Sequence, residues 1–264
     1  MSRKDLEALE LRLLLEAVHT HYGYDFRGYA LASLKRRLWR RAYAEHLTTL
    51  SGLQERVLHD LSINVTSMFR DPTFYAAFRE KVVPLLRTYP FLRIWNAGCS
   101  TGEETFSLAI LLMEAGVYEK TRIYATDIND RVLEMARNGR FPLERMRDYT
   151  ANYLRAGGKE EFSRYYTVEG DEASFSQDLC SRVVFANHNL VSDGPFNEFN
   201  VIVCRNVMIY FGKGLQDRVH NLFYDSLETF GVLALGHKES IRFTPHEQSF
   251  EELSSQERLY RKIR

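Results

Sequence analysis

The sequence predicts an α/β fold, a doubly wound and largely parallel sheet preceded by an all-helical segment. Three observations point there. The first stretch, up to about residue 85, carries only helical apolar spacing. From residue 91 onward, strand-like and helix-like runs alternate. At the first strand-to-helix junction, RIWNAGCSTGEET (93–105), two glycines bracket a short turn that runs straight into two glutamates.

In the helical segment, LEALELRLLLEAVHTHY places Leu6, Leu9, Leu13 and Ala17 at helical intervals, and Gly23 ends the run. LASLKRRLWRRAYAEHL follows, with Leu31, Leu34, Leu38 and Ala42 on one stripe, and then SGLQERVLHDLSIN. DPTFYAAFREKVVPLL offers Asp71 as an N-cap and Pro72 in the first turn, where proline costs least. Next come FLRIWNA as a strand, EETFSLAILLMEAG as a helix and TRIYATDI as a strand. NDRVLEMARNG reads as a helix closed by Gly139, and RVVFANHNL and FNVIVCRN as strands. LQDRVHNLFYDSLETF is a helix, GVLALGH a strand, and RLYRKIR a final strand. Residues 141–182 break the alternation: a short helical piece precedes a hairpin, RYYTVEGDEASFS, turning at GDEA. The expected organisation is a helical domain over 1–76, a linker helix over 77–90, and an α/β domain over 91–264 with 141–182 inserted.

Bulk properties narrow the function. The 264 residues are 45% hydrophobic, enough for a full core, and formal net charge is zero, which argues against a general nucleic-acid coat protein. Three widely spaced cysteines, Cys99, Cys180 and Cys204, form neither a disulfide framework nor a zinc pair. The N-terminus has acids throughout its apolar part, unlike a signal peptide, and no run is long enough to span a bilayer. A cytoplasmic protein without membrane insertion, metal or nucleic-acid partner is expected, with nothing demanding more than a monomer.

In an open α/β sheet, ligands bind beyond the carboxyl ends of the strands. The residues that follow each strand are GCSTGEE, then Asp127 in ATDIN, Asn189 and Leu190 in NHNL, and Arg205 and Asn206 in CRNVMIYF. The turn from Gly98 to Gly102 matches neither the dinucleotide fingerprint nor the nucleotide P-loop. Glu103 and Glu104 would repel a pyrophosphate, yet carboxylates suit a helix N-terminus. A cationic nucleoside fits, which makes S-adenosylmethionine the favoured ligand, with Asp127 able to accept both ribose hydroxyls. A plain helix cap remains the alternative for the two glutamates.

GCSTGEE, ATDIN, HNL and CRNVMIYF, in this order, resemble the CheR-type chemotaxis glutamate methyltransferases. So do INVTSMFRDPTFY (63–75) and YDFRGYALASLKRRLWRRA in the helical segment. The resemblance covers nearly the whole chain. It implies a Rossmann-like class I methyltransferase sheet, an N-terminal all-helical domain and a small inserted β-subdomain. It further implies methyl transfer from S-adenosylmethionine to glutamate carboxylates of chemoreceptors, releasing S-adenosylhomocysteine. Carried over by position, Asn64, Thr66 and Arg70 reach the cofactor from the helical side. Gly98, Glu103 and Asp127 hold its methionine or ribose portion, Asn189 and Leu190 lie at the adenine, and Arg205 and Asn206 close the site. Arg70 and Tyr210 position the methyl and the acceptor. Two departures stand out: Thr105 replaces a usual proline, and Lys238 in GHKES a usual serine.

Residues 26–46 hold six basic residues against one acid. Among them Lys35, Arg36, Arg37, Arg40 and Arg41 suit a docking face for the acidic helices in the cytoplasmic region of a chemoreceptor. A solvated face with no partner is the plainer reading. The short acidic turn VEGDEA predicts an enzyme independent of a receptor C-terminal peptide. Two rivals stay open. A nucleic-acid amino-methyltransferase would want an Asn/Asp-Pro-Pro-aromatic motif where this chain has RNVMIYF. A non-catalytic S-adenosylmethionine sensor would bind cofactor and transfer nothing.

Overall fold

The computed structural model describes residues 3–22, 26–32, 34–36, 38 and 66–264. The helix expected over 51–64, with Asn64, and the basic residues Arg37, Arg40 and Arg41 lie outside the described residues. The chain forms two compact units: Met1–Ile63 with Ile209–Val219, and Asn64–Met208 with His220–Arg264.

In the first unit, α1 (Arg3–Tyr22) buries Leu14, Leu15 and Val18 against Phe26, Leu34 and Leu38. The face differs from the expected stripe, since Leu9 and Leu13 are exposed. LELRLLLEAV carries leucines on more than one side, so spacing alone cannot choose the buried face. The segment after α1 meets the returning chain: Ala30 N–H donates to the Tyr210 carbonyl (2.9 Å) and Gly212 N–H to the Gly28 carbonyl (2.9 Å).

The second unit opens with helix α2, which runs Pro72–Ala77, widens into a π-helical turn at Phe78–Val82 and resumes over Val83–Leu86. Pro84 explains the widening: it has no N–H to give, and its ring crowds the carbonyl four residues back. Asp71 occupies the N-cap position but makes no capping hydrogen bond with its side chain, contrary to expectation. Its carboxylate is taken by Arg205 instead.

Then come β1 (Leu92–Ala97), α3 (Glu103–Glu114), β2 (Thr121–Asp127) and α4 (Asp130–Asn138), closed by Gly139 at φ 60°. The stretch that breaks the alternation supplies β3 (Arg140–Pro142), α5 (Met146–Arg155), β4 (Tyr166–Glu169), β5 (Glu172–Phe175) and α6 (Gln177–Cys180). The expected hairpin is present, β4 turning through Gly170 and Asp171 into β5, and β3 completes a three-stranded antiparallel sheet. The chain returns through β6 (Val183–Asn187), β7 (Phe199–Cys204), α7 (Lys213–Ser226), β8 (Leu227–Leu235), β9 (Phe250–Ser254) and β10 (Leu259–Lys262).

The main sheet has the order β6-β2-β1-β7-β8-β10-β9. The first five strands pair in parallel, and β10 and β9 add antiparallel. β7 is buried at every residue. Two details depart from the sequence reading. Leu227–Phe230, read as the end of α7, opens β8, where Phe230 at φ 70° precedes Gly231 and the register with β7 shifts. β9 was not foreseen, because its polar, half-exposed residues lack a strand's apolar alternation. The order reverses at β1, flanked by β2 and β7, so a crevice is expected beyond their carboxyl ends.

Candidate active site

The turn after β1 shows why the sequence places glycines there. Gly98 has φ 77°, and a Cβ on it would lie 2.5 Å from Val207 Cγ2. Gly102 has φ 97°, and a Cβ there would meet Ala136 Cβ at 3.0 Å. Gly98 and Cys99 both donate backbone N–H groups to the Thr126 carbonyl, at 2.8 and 2.9 Å, stitching the turn to the end of β2.

Asp127 ends β2. Its carboxylate accepts the Ser100 N–H at one oxygen (2.9 Å) and the Asn129 N–H at the other (3.0 Å). Burial nevertheless pushes its carboxyl above the ordinary range, the backbone donors offsetting only part of the cost. Two backbone N–H groups fix the carboxylate's orientation and leave each oxygen able to accept again.

Glu103 and Glu104 begin α3 but do different things. Glu103 is buried; its carboxylate accepts from the Thr101 hydroxyl (2.5 Å) and the Tyr149 hydroxyl (3.3 Å). Burial raises its pKa; those hydroxyls, a backbone N–H and Arg145 offset only part of the effect. Glu104 accepts from Asn96 Nδ2 (2.8 Å) and from Arg205 Nη1 (2.9 Å).

Arg205 follows β7, and its side chain is 0% exposed. Besides Glu104, it pairs with Asp71 through Nη2 (2.8 Å), reaches the Arg70 carbonyl (3.3 Å) and lies 3.9 Å over the Phe74 ring. Asn206 takes φ 62°. Its N–H and that of Val207 donate to the two oxygens of Glu239, at 3.0 and 2.9 Å, and Gly236 N–H donates as well, at 2.7 Å. After β6, the Asn189 side-chain oxygen accepts the Val191 N–H (2.9 Å), and Leu190 is buried. His188 N–H donates to the Asp127 carbonyl (3.2 Å), so the ends of β2 and β6 are laced together.

Gly98, Glu103, Asp127, Arg205 and Asn206 thus follow β1, β2 and β7, with Asn189 and Leu190 after the neighbouring β6. Thr66 and Arg70 belong to the same unit and are half-buried. Tyr210 ends the short turn Met208–Tyr210 and belongs to the first unit, as Lys35 and Arg36 do. Sequence reasoning missed Tyr149 and Glu239 and read Asp71 only as a helix cap. Their partners, and the Arg205 partner of Asp71, lie far off in sequence.

The arrangement fits S-adenosylmethionine. Two buried carboxylates, Glu103 and Asp127, have hydroxyl or N–H partners but no ion-paired cation among the described contacts. That suits an ammonium at one and a ribose diol at the other. Cys99 and Cys204 are buried with thiol pKa values pushed well up, so both stay neutral. Among the described residues no three His, Cys, Asp or Glu side chains converge on a metal position.

Comparison with known proteins agrees. Residues 64–259 match the CheR methyltransferase, SAM binding domain, and residues 9–71 match the CheR methyltransferase, all-alpha domain. A Pseudomonas putida relative carrying the name "Putative methyltransferase Cher3" is 47% identical over 264 residues, covering 96% of this chain and 97% of its own. Chemotaxis protein methyltransferase 2 of Pseudomonas aeruginosa is 34% identical, covering 77% of this chain and 73% of its own. The chemotaxis protein methyltransferase of Escherichia coli is 31% identical, covering 77% and 72%. With both domains matched and the acids of the strand-end site in place, this chain belongs to the CheR family of S-adenosylmethionine-dependent methyltransferases.

Proposed function

We propose that the chain methylates glutamate side-chain carboxylates of chemoreceptors, forming methyl esters, in chemotaxis or a related chemosensory pathway. The observation that carries this reading is the turn around Arg70. It is tied by its backbone to the carboxyl edge of the sheet, and it bears a guanidinium, the group best matched to a carboxylate acceptor.

S-adenosylmethionine supplies an electrophilic methyl group on its sulfonium and leaves as S-adenosylhomocysteine. Glu103 would take the cofactor's ammonium, Asp127 its ribose hydroxyls, and Asn189 with Leu190 its adenine. Thr66, Asn64, Gly98, Asn206 and Arg205 complete the surround. An acceptor glutamate has an ordinary pKa of about 4.3 and is already ionised at neutral pH, so no general base is required. What the protein must supply is desolvation and alignment, with the attacking oxygen at roughly 3–3.5 Å. Arg70 would hold the carboxylate by paired hydrogen bonds, and Tyr210 would position the acceptor or the sulfonium face. Arg70→Ala should cripple turnover in a folded protein.

Lys35, Arg36, Arg37, Arg40 and Arg41 would dock the acidic cytoplasmic helices of the receptor, so methylation should weaken as salt rises. A monomer acting in the cytoplasm suits this role, and among the described residues no helix is long and apolar enough to cross a membrane. The deciding experiment combines methyl-labelled S-adenosylmethionine with receptor-bearing membranes, followed by base. Volatile labelled methanol is expected from carboxyl methyl esters. Label that stays bound after base would overturn the glutamate assignment.

A further inference from the structure

We propose that Arg205 and Asp71 are positioning residues for Arg70. On this inference the pair acts by fixing the turn that carries Arg70, and Arg205 need not touch the cofactor through its side chain. The inference rests on the functional reading of Arg70 given above.

The turn is held in an unfavourable shape. Phe69 has φ 49° and Asp71 φ 57°, so left-handed residues other than glycine flank Arg70 on both sides. Such residues are strained and persist only where their surroundings over-determine them. Here they do. Phe69 N–H donates to Ser107 Oγ on α3 (2.9 Å), and its buried ring packs on Tyr75 and Tyr153. Asn152 of α5 donates to the Met68 carbonyl (3.1 Å). On the other side Arg205 holds both the Arg70 carbonyl and the Asp71 carboxylate through one nitrogen.

Arg205 is itself fixed from the far side. Glu104 takes its other terminal nitrogen, Asn96 on β1 donates to Glu104, and Thr105 Oγ1 donates to Asn96 Oδ1 (2.6 Å). A continuous chain of polar contacts therefore runs from the centre of the sheet to the Arg70 backbone. Thr105, one of this chain's departures from its family pattern, supplies the outermost link; a proline there has no hydroxyl to do so. A fully buried arginine with two carboxylates is poor evidence for stability, because well-packed apolar residues often do as well. What such a group provides is a fixed geometry. Both terminal nitrogens of Arg205 are already engaged within the protein.

Asp71→Asn tests this with little disturbance, since asparagine tolerates the left-handed region and keeps the shape while losing the charge. Turnover should be measured as label transferred, whatever the acceptor, alongside S-adenosylhomocysteine affinity by calorimetry. That readout stands apart from the methanol test, so failure of the glutamate assignment and failure of this inference are distinguishable. Asp71→Asn is expected to lower kcat about tenfold while affinity changes less than about twofold. In an Arg70→Lys background, chosen to keep turnover measurable, Asp71→Asn should add no further loss. The same factor in both backgrounds would overturn the inference, as would an affinity loss matching the loss in kcat/KM. Wild-type turnover by Arg70→Ala would sink the Arg70 role, and the inference with it.

Discussion

Helix α3 starts and ends on a buried glutamate, and the two ends are opposite cases. Glu103 opens the helix at the site; hydroxyl and backbone donors and the charge of Arg145 offset only part of its burial, and its pKa is raised. Glu114 closes the helix beneath the inserted subdomain, its side chain 3% exposed. Burial would raise its pKa too, but the Tyr153 hydroxyl, the Arg79 guanidinium at 2.5 Å and the Lys159 N–H together hold it below the ordinary value. The fold pairs Glu114 with Arg79, whereas among the described residues Glu103 has no ion-paired partner and only the more distant charge of Arg145. A carboxylate that the protein buries without neutralising is the mark of a place for a ligand; one that it neutralises is an anchor.

The largest expected effect compares the arginines that serve these two regions. Arg205→Leu leaves Glu104 and Asp71 without their cation and should cost about 3–5 kcal/mol of stability. Arg79→Leu leaves Glu114 with two tyrosine hydroxyls and a backbone N–H, so it should cost only about 1–3 kcal/mol. Urea denaturation measures both. Equal costs would break the distinction between a charge cluster held by one residue and an anchor held by several.

A middle-sized effect compares glycines. Gly98→Ala combines φ 77° with a Cβ 2.5 Å from Val207, and should cost roughly 2–4 kcal/mol and weaken S-adenosylhomocysteine binding. Gly170→Ala, in the β4–β5 turn at φ 61°, has nothing within 4 Å of the new Cβ. It should cost about 1 kcal/mol and leave affinity unchanged. Thermal unfolding and calorimetry on both variants decide; a loss of affinity in Gly170→Ala would connect the hairpin to the site.

The same contrast explains what the sequence disclosed. The turn at 98–102 was legible because a positive φ and a close approach leave glycine in the sequence, and Asp127 because a strand must end somewhere visible. The β4–β5 hairpin was legible for the same reason, through Gly170. The cluster around Arg205 was not: Glu104 lies 101 positions away and Asp71 134, and spacing says nothing about such partners. Arg205 itself was read as closing the cofactor site, while its side chain is engaged with Glu104, Asp71 and the Arg70 carbonyl. Tyr149 was hidden in the inserted segment, where aromatic packing among Phe141, Phe162 and Phe175 left no periodic signal. The buried face of α1 was misread because leucines supply two candidate faces.

The smallest effect is the most direct test of the two ends of α3, because the signs should differ. A carboxyl whose folded pKa is raised binds protons more readily folded than unfolded. Its ionised form therefore costs stability at neutral pH, and that cost fades as pH falls towards the ordinary 4.5. Glu103→Gln should thus stabilise the cofactor-free protein by about 1 kcal/mol at neutral pH, with the gain vanishing in acid, while weakening S-adenosylmethionine binding. Glu114 runs the other way. Its lowered pKa contributes stability above 4.5 that is lost as pH falls through the folded value. Glu114→Gln should destabilise at neutral pH and converge with the wild type in acid. Urea midpoints for the three proteins from neutral pH down through the carboxylate range read both signs at once. Destabilisation by Glu103→Gln at neutral pH would mean that the fold already neutralises that carboxylate, and Glu103 would then be an anchor like Glu114, with no claim on the ammonium of the cofactor.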